Sequence, residues 1–308
     1  MPSTNLRPAI PAHIKRAVRK RCGFGCVFCG IPLIQYHHMD PWSEVQIHEE
    51  HNLTLLCALH HDEVTRGLLP ASAVARADQN PLNIVNGKSA KYLLHYEGES
   101  AVVHLGSSQF TAAPRRDIDV VRIFGRPLLW FIYESGDYEL NLEILREGGD
   151  RAVRIAANEL VYTTDAWDVT FTGRNLTIRD GFRNVYLEVE FRTPSTVVVK
   201  RGVFWHERHF VKIVDQRVEY GSMRMPGGAS RLIRGTAENI SVGIDIYDER
   251  VPRRQEPGLV GFRSYPPQPG ESFPWSTDAS MPRYLVPPKP PTPRPVMLQF
   301  RYGERKPR

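Results

Sequence analysis

Thiols and imidazoles crowd one end of this 308-residue chain: all four cysteines precede residue 58, and six of the eleven histidines lie between residues 37 and 61. Cys26 and Cys29 stand two residues apart, and Cys57 and His60 repeat that gap. Zinc takes four sulfur or nitrogen ligands in a tetrahedron, and a two-residue gap lets one turn present two of them to one ion. Cys26, Cys29, Cys57 and His60 therefore predict a closed Cys3His site holding a structural Zn²⁺. Such an ion contributes on the order of 10 kcal/mol to folding a domain too small for a full core. Cys22 is off this spacing and reads as a buried thiol.

A second set lies between the two ligand pairs. His37 and His38 are neighbours, Asn52 follows, and His61 adjoins the zinc ligand His60. Hydrolysis of a phosphodiester needs a base to activate water and a cation to neutralise charge on the phosphate and the leaving oxygen. His38 is the candidate base, and His37 and His61 are candidate ligands of one divalent cation with positions left open. Neighbouring residues of a strand diverge, so a twisted strand could turn one imidazole to the cation and the other to the scissile bond. Asn52 is placed to bond across the loop and orient His38. His48 and His51 read as loop histidines, with contact to phosphate or support of a site residue as the alternative.

The elements that must carry these residues are short. Pro8 and Pro11 precede a helix predicted from Ala12 to about Lys20, with Ile14, Ala17 and Val18 on its apolar side. Gly23 and Gly25 open a knuckle that closes at Cys29-Gly30. A strand over 31–38, a loop over 39–52 broken by Pro41, a strand at 53–56 and a helix from His60 to about Arg66 give a strand–loop–strand–helix unit. Gly67 stops that helix, and Pro70 begins another that ends before Asn80-Pro81.

Taken together, Cys26-x2-Cys29, His37-His38-x2-Pro41 and Asn52-Leu-x-Leu-Leu-Cys57-x2-His60-His61 resemble the HNH endonuclease family over about residues 12–80. The resemblance implies a ββα-metal nuclease domain, His38 as general base, Asn52 as its orienting residue, and His37 and His61 on a catalytic Mg²⁺ or Mn²⁺. It also implies a separate zinc knuckle, whose second half carries His60 where many relatives have Cys. Relatives often have Asp or Glu at position 37. His37 removes that negative charge, which weakens Mg²⁺ and favours Mn²⁺, Ni²⁺ or Zn²⁺. Thr65 stands where some members place a further histidine, so water completes the shell.

From about residue 84 the texture changes to period two. Tyr138, Leu140, Leu142 and Ile144 alternate with polar residues, as do Val185, Leu187, Val189 and Phe191. Further strands are predicted at 160–163, 168–172, 175–179, 196–200, 203–206, 210–214 and 242–247. Turn residues at Gly148-Gly149, Gly173-Arg174-Asn175, Asp180-Gly181 and Gly202 separate them. The fold class is thus α+β: a zinc-stapled domain over 1–80, an all-β accessory domain over 84–250 (a sandwich, with a solenoid as alternative), and a proline-rich basic tail over 251–308. Trp130, Trp167 and Trp205 read as packing residues. No glycine-rich phosphate loop is present.

The net charge is +6 and the pI about 9.2. Lys15, Arg16, Arg19, Lys20 and Arg21 form a run without an acidic residue, a candidate contact for a phosphate backbone. DNA is the expected partner. Self-association, and a protein partner for the tail around Pro287-Pro288-Lys289-Pro290-Pro291, stay open. No apolar run is long enough to span a bilayer, and residues 1–10 hold no secretory core segment, so a reducing cytoplasmic setting is expected. The main expectation is a DNA endonuclease, with a role in restriction or anti-phage defence hinted at by the resemblance. The rival is a non-catalytic zinc-dependent nucleic-acid-binding or partner-recruiting protein.

Overall fold

A proline pre-sets the start of the first helix. Pro11 flanks α1 (Ala12–Arg21), and Arg19, Lys20 and Arg21 fill its last turn, where cations complement the helix dipole. The chain then reverses through Gly23 and Phe24, both at positive φ (67° and 60°). This computed structural model describes residues 8–146, 150–222, 225–248 and 258–264. They all lie within one compact unit, Met1–Phe273.

Strand β1 (Gln35–His38) pairs antiparallel with β2 (Leu53–Leu56), with His37 opposite Thr54 and His38 opposite Leu53. Between them the chain forms a one-turn helix, α2 (Trp42–Val45), and a 3-10 turn at Glu50–Asn52, where only a loop was expected. Helix α3 (Ala58–Thr65) follows β2 directly, giving a ββα order. Helix α4 (Ala71–Gln79) begins after Pro70, and α5 (Leu82–Asn86) after Pro81. All of β2 is buried, and Leu53, Leu55 and Leu56 join Val18, Cys22, Cys26, Val27 and Cys57 in a small core of their own. That core is too small to hold the segment alone, which is the situation in which a structural ion contributes most.

The later residues make two large sheets over one hydrophobic core. In one, Ile118–Ile123, Arg126–Glu134, Asp137–Leu145, Arg151–Ala156 and Glu159–Tyr162 follow as antiparallel neighbours. In the other, Asp168–Thr172, Asn175–Gly181, Asn184–Arg192, Thr196–His206, His209–Val214, Arg217–Ser222 and Met225–Leu232 do the same. Chain order and neighbour order coincide because tight turns join successive strands. The alternation at Tyr138–Ile144 does not leave a wet face: Asn141 and Glu143 are buried, and Arg126 and Arg151 pair with the Glu143 carboxylate at 2.7 and 3.1 Å.

Gly202 is not a turn. It lies inside one long strand, Thr196–His206, beside a register shift at Glu188/Val189, and a Cβ there would press on Leu187 at 3.1 Å. Glycine at such a point marks close approach rather than chain reversal. Within the span expected as tail, Gly258–Ser264 pairs in parallel with Val242–Asp248, because those seven residues are free of proline. The Pro287–Pro293 stretch and the expected turn at Gly148-Gly149 lie outside the described residues. Among the described residues no helix is long and apolar enough to cross a membrane.

The zinc-ligand segment is bolted to the sheets rather than strung from them. The Phe24 side chain belongs to the large core, and the buried Tyr162 hydroxyl donates to the Phe24 carbonyl at 2.7 Å. Buried Asn83 donates to the carbonyls of Gly23 (3.0 Å) and Gly30 (2.9 Å) and accepts from Ala90 N–H at 3.2 Å. A Cβ at Gly25 or Gly30 would collide with that amide, which explains glycine at both. Arg19 forks onto both Asp168 oxygens (2.8 and 2.6 Å), Lys20 donates to the carbonyls of Thr164 and Ala166, and Arg16 lies 4.2 Å over the Trp167 ring. Removing one partner of a mostly buried ion pair strands the other, at about 3 kcal/mol. Asp168→Ala is therefore expected to lower the unfolding free energy measured by urea titration by about 3 kcal/mol, Arg19→Ala likewise, and the double variant by less than the sum. Strict additivity would show that the pair does not couple the two parts.

Candidate functional site

Two sites share α3, and the helix separates them. Cys57 is its N-cap residue, so His60 sits one turn along on the same side, and His61 is rotated about 100° away. On the first side, Cys26, Cys29, Cys57 and His60 place one ligand atom each within 4.8 Å of one another. Cys29 Sγ is 3.7 Å from Cys57 Sγ, and His60 Nδ1 is 3.1 Å from Cys57 Sγ and 3.4 Å from Cys26 Sγ. The edges of a zinc tetrahedron with bonds of ~2.3 Å (S) and ~2.0 Å (N) are about 3.8 Å for S···S and about 3.6 Å for S···N. The sulfurs are far outside disulfide reach, and all four cysteines are free thiols. The quartet fits a structural zinc.

The backbone prepares this clamp. Cys26 N–H donates to Ile31 O, Gly30 N–H donates to Cys26 O, and Val27 N–H donates to Leu55 O, which welds the knuckle to β2. The Cys26 thiol is held far below the usual thiol range, first by a hydrogen bond from Cys29 and then by the N–H groups of Cys29, Cys57 and Phe28. A thiolate is the form that binds metal. Phe28 stacks on the His60 ring at 5.0 Å. Cys22 lies outside the clamp: burial pushes its thiol up to about 12, and it bonds toward Thr54 and Asp78.

On the second side His61 faces a cleft of about 390 Å³ lined by Tyr36, His37, His38, Met39, Pro41, Trp42, His61, Val64, Ala71 and Val74. His37 and His61 meet edge to face, with ring centroids 5.2 Å apart. Burial first, and then the neighbouring His61, hold His37 below the usual imidazole range, which keeps a lone pair available to an ion. Both His37 and His38 line the one cleft although they are sequence neighbours, since β1 ends at His38. Among the described residues the Cys3His quartet is the one group of three or more His, Cys, Asp or Glu side chains close enough to share an ion. His37 and His61 are not part of a group of that size. Thr65, one turn on, donates its hydroxyl to His61 O at 2.8 Å.

Asn52 is buried and clamps the turn that follows His38. Its Oδ1 accepts from Asp40 N–H at 2.7 Å, its carbonyl accepts from Met39 N–H at 2.9 Å, and its Nδ2 reaches Asp40 O at 3.5 Å. His38 is also buried, and its Nε2 lies 3.2 Å from His48 Nδ1. Trp42 stacks on His48 at 4.6 Å and meets His38 edge-on at 5.4 Å. Trp42 was not singled out for a role by sequence reasoning, and His48 was read first as a loop histidine with a supporting contact only as the alternative. Neither carries a spacing signal, because the loop conformation alone brings them to His38. His51 stays on the surface beside Glu49.

Three of the five cations expected to meet phosphate have hydrogen-bond or ionic partners inside the molecule, and Arg16 stacks on Trp167. Arg19 and Lys20 hold the sheets, and Arg21 bonds Asp78 and the carbonyls of Glu50 and Leu53. Lys15 lies 5.8 Å over the Tyr36 ring, at the rim of the cleft. Comparison with protein-family models, with curated proteins and with solved structures returned no match for this chain.

The clamp predicts one tightly held zinc per chain by metal analysis. Cys29→Ala is expected to lose that zinc, and with it cooperative melting of the N-terminal segment followed by circular dichroism. A variant that kept both would contradict the assignment.

Proposed function

We propose that this chain is a metal-dependent endonuclease that hydrolyses DNA phosphodiester bonds. The observation that carries the reading is the meeting of His37, His38 and His61 in one cleft, beside a thiol cluster fit for zinc that takes no part in it. A structural zinc module that only bound nucleic acid would need no buried histidine in an open cleft.

His38 takes a proton from water as the oxygen forms its bond to phosphorus. The bond from phosphorus to the 3′ oxygen breaks opposite, and that oxygen leaves with the electron pair and gains a proton from solvent. The products carry a 5′ phosphate and a 3′ hydroxyl. His37 and His61 would hold a divalent cation, which would supply neutralisation of charge on the phosphate and the leaving oxygen. Two imidazoles without a carboxylate suit Mn²⁺ or Ni²⁺ better than Mg²⁺. Asn52 holds the backbone after His38, so the ring keeps its aim. Lys15 is the α1 cation best placed to meet a phosphate entering past Tyr36.

The sheets are the part left to bind DNA, sense a signal or pair copies of the chain. An enzyme so built fits a restriction or anti-phage effector in the cytoplasm.

Purified protein with Mg²⁺ or Mn²⁺ is expected to nick supercoiled plasmid, and EDTA to stop it. His38→Ala should cut at least ~100-fold more slowly while keeping its zinc. Intact plasmid, linear duplex and single strands across a divalent-metal series would refute the reading, as would equal cutting by His38→Ala.

A further inference from the structure

The loop between β1 and β2 does more than cross from strand to strand. Gln46, at φ 48°, ends α2 and turns the chain so that His48 comes back against His38 and Trp42, two residues of the cleft lining. There His48 is gripped at both nitrogens. Its Nε2 lies 2.8 Å from the carbonyl oxygen of Pro8, and its Nδ1 lies 3.2 Å from His38 Nε2. A carbonyl oxygen can only accept, so His48 Nε2 carries the hydrogen. Neutral His48 then has its lone pair on Nδ1, and the bond between the rings is donated by His38 Nε2. The basic lone pair of His38 is thereby fixed on Nδ1.

We infer that His48 is a positioning residue for His38: through the Pro8–His48–His38 chain it selects the tautomer and the ring plane in which the base works. The inference rests on the nuclease reading and deepens it. An imidazole without such a partner exchanges its hydrogen between two nitrogens, and only one form has the lone pair on Nδ1. When Nδ1 takes up the proton of water, His38 becomes a cation with Nε2–H still directed at a neutral acceptor, which stabilises that charge. Trp42 keeps the acceptor in place by stacking on His48 with a 29° tilt. Asn52 fixes the backbone after His38, and His48 fixes the ring itself.

Two substitutions separate hydrogen bonding from packing. His48→Phe keeps an aromatic ring on Trp42 and removes the acceptor. His48→Asn removes the ring but offers Oδ1 near the place of Nδ1. Loss of an orienting partner costs about 10- to 100-fold. His48→Phe is expected to lower kcat by that factor with KM little changed, and His48→Asn to restore most of it. Unchanged or faster cutting by His48→Phe would overturn the inference, as would equal losses in both variants, since packing would then explain them. The tautomer itself is read by nitrogen-15 NMR of the imidazoles, with no need of activity. Wild-type His38 should carry its hydrogen on Nε2, and His48→Phe should show a smaller share of that form. A wild-type His38 bearing the hydrogen on Nδ1 would overturn the inference. If the wild type cuts no substrate, the nuclease reading falls, and the NMR result still decides the His38–His48 bond.

Discussion

The meeting of three thiols and one imidazole is the constraint from which the rest of the N-terminal segment takes its shape. It joins a knuckle at Cys26–Cys29 to the start of α3 at Cys57–His60. These are the ends of a stretch that includes the whole β1–β2 hairpin and its long connection. With both ends pinned, β2 must run between them, and α3 must leave it at the angle that the Cys57 cap allows. His61 then has one direction to face, and that is the cleft shared with β1. The same helix gives one histidine to the thiol quartet and turns the next into the cleft, and in the proposed reading stability and reactivity are thereby divided between adjacent residues.

The clamp does not stand alone. Phe24 is buried in the core of the sheets, Asn83 gathers the carbonyls of Gly23 and Gly30, and Arg19 bridges Asp168 on one side and the Tyr36 hydroxyl on the other. Tyr36 lines the cleft. The cleft wall is therefore connected to the sheets through one guanidinium and two short hydrogen-bonded steps. The cost is electrostatic. Cations that would have made a phosphate-binding face on α1 are partly withdrawn into the interior, so attraction of an anionic polymer falls to fewer side chains, Lys15 and Arg16 among them.

Much of the local architecture was legible because its signals are local. The Cys-x2-Cys and Cys-x2-His gaps, the short apolar run at Leu53–Leu56 and the prolines before α1 and α4 all act within a few residues, whereas the short helix α5 after Pro81 was not expected. The strands Asn184–Arg192 and Asp137–Leu145 announced themselves by period two. The strands Ile118–Ile123 and Arg126–Glu134 were not read, since the runs Val120-Val121 and Leu128-Leu129 are buried on both faces and lose the alternation. Gly202 was misread because a glycine that relieves close packing in a strand looks the same in sequence as one that turns a chain. The fate of Arg19 and Lys20 depended on partners such as Asp168 and Thr164, far along the chain, which no local pattern reports. The contact of His48 was legible only as an alternative, for a similar reason: its place is fixed by the Gln46 turn and by Pro8, not by a spacing.

The account stands on two chemically distinct metal sites one residue apart on α3. Crystals grown from the purified protein and soaked in Mn²⁺ test this directly, by anomalous diffraction recorded at the zinc and manganese edges. The account predicts zinc within the Cys26, Cys29, Cys57 and His60 quartet, and manganese between His37 and His61 in the cleft. A cleft without manganese, with the metal bound elsewhere on the chain or with the thiol quartet free of zinc, would contradict it.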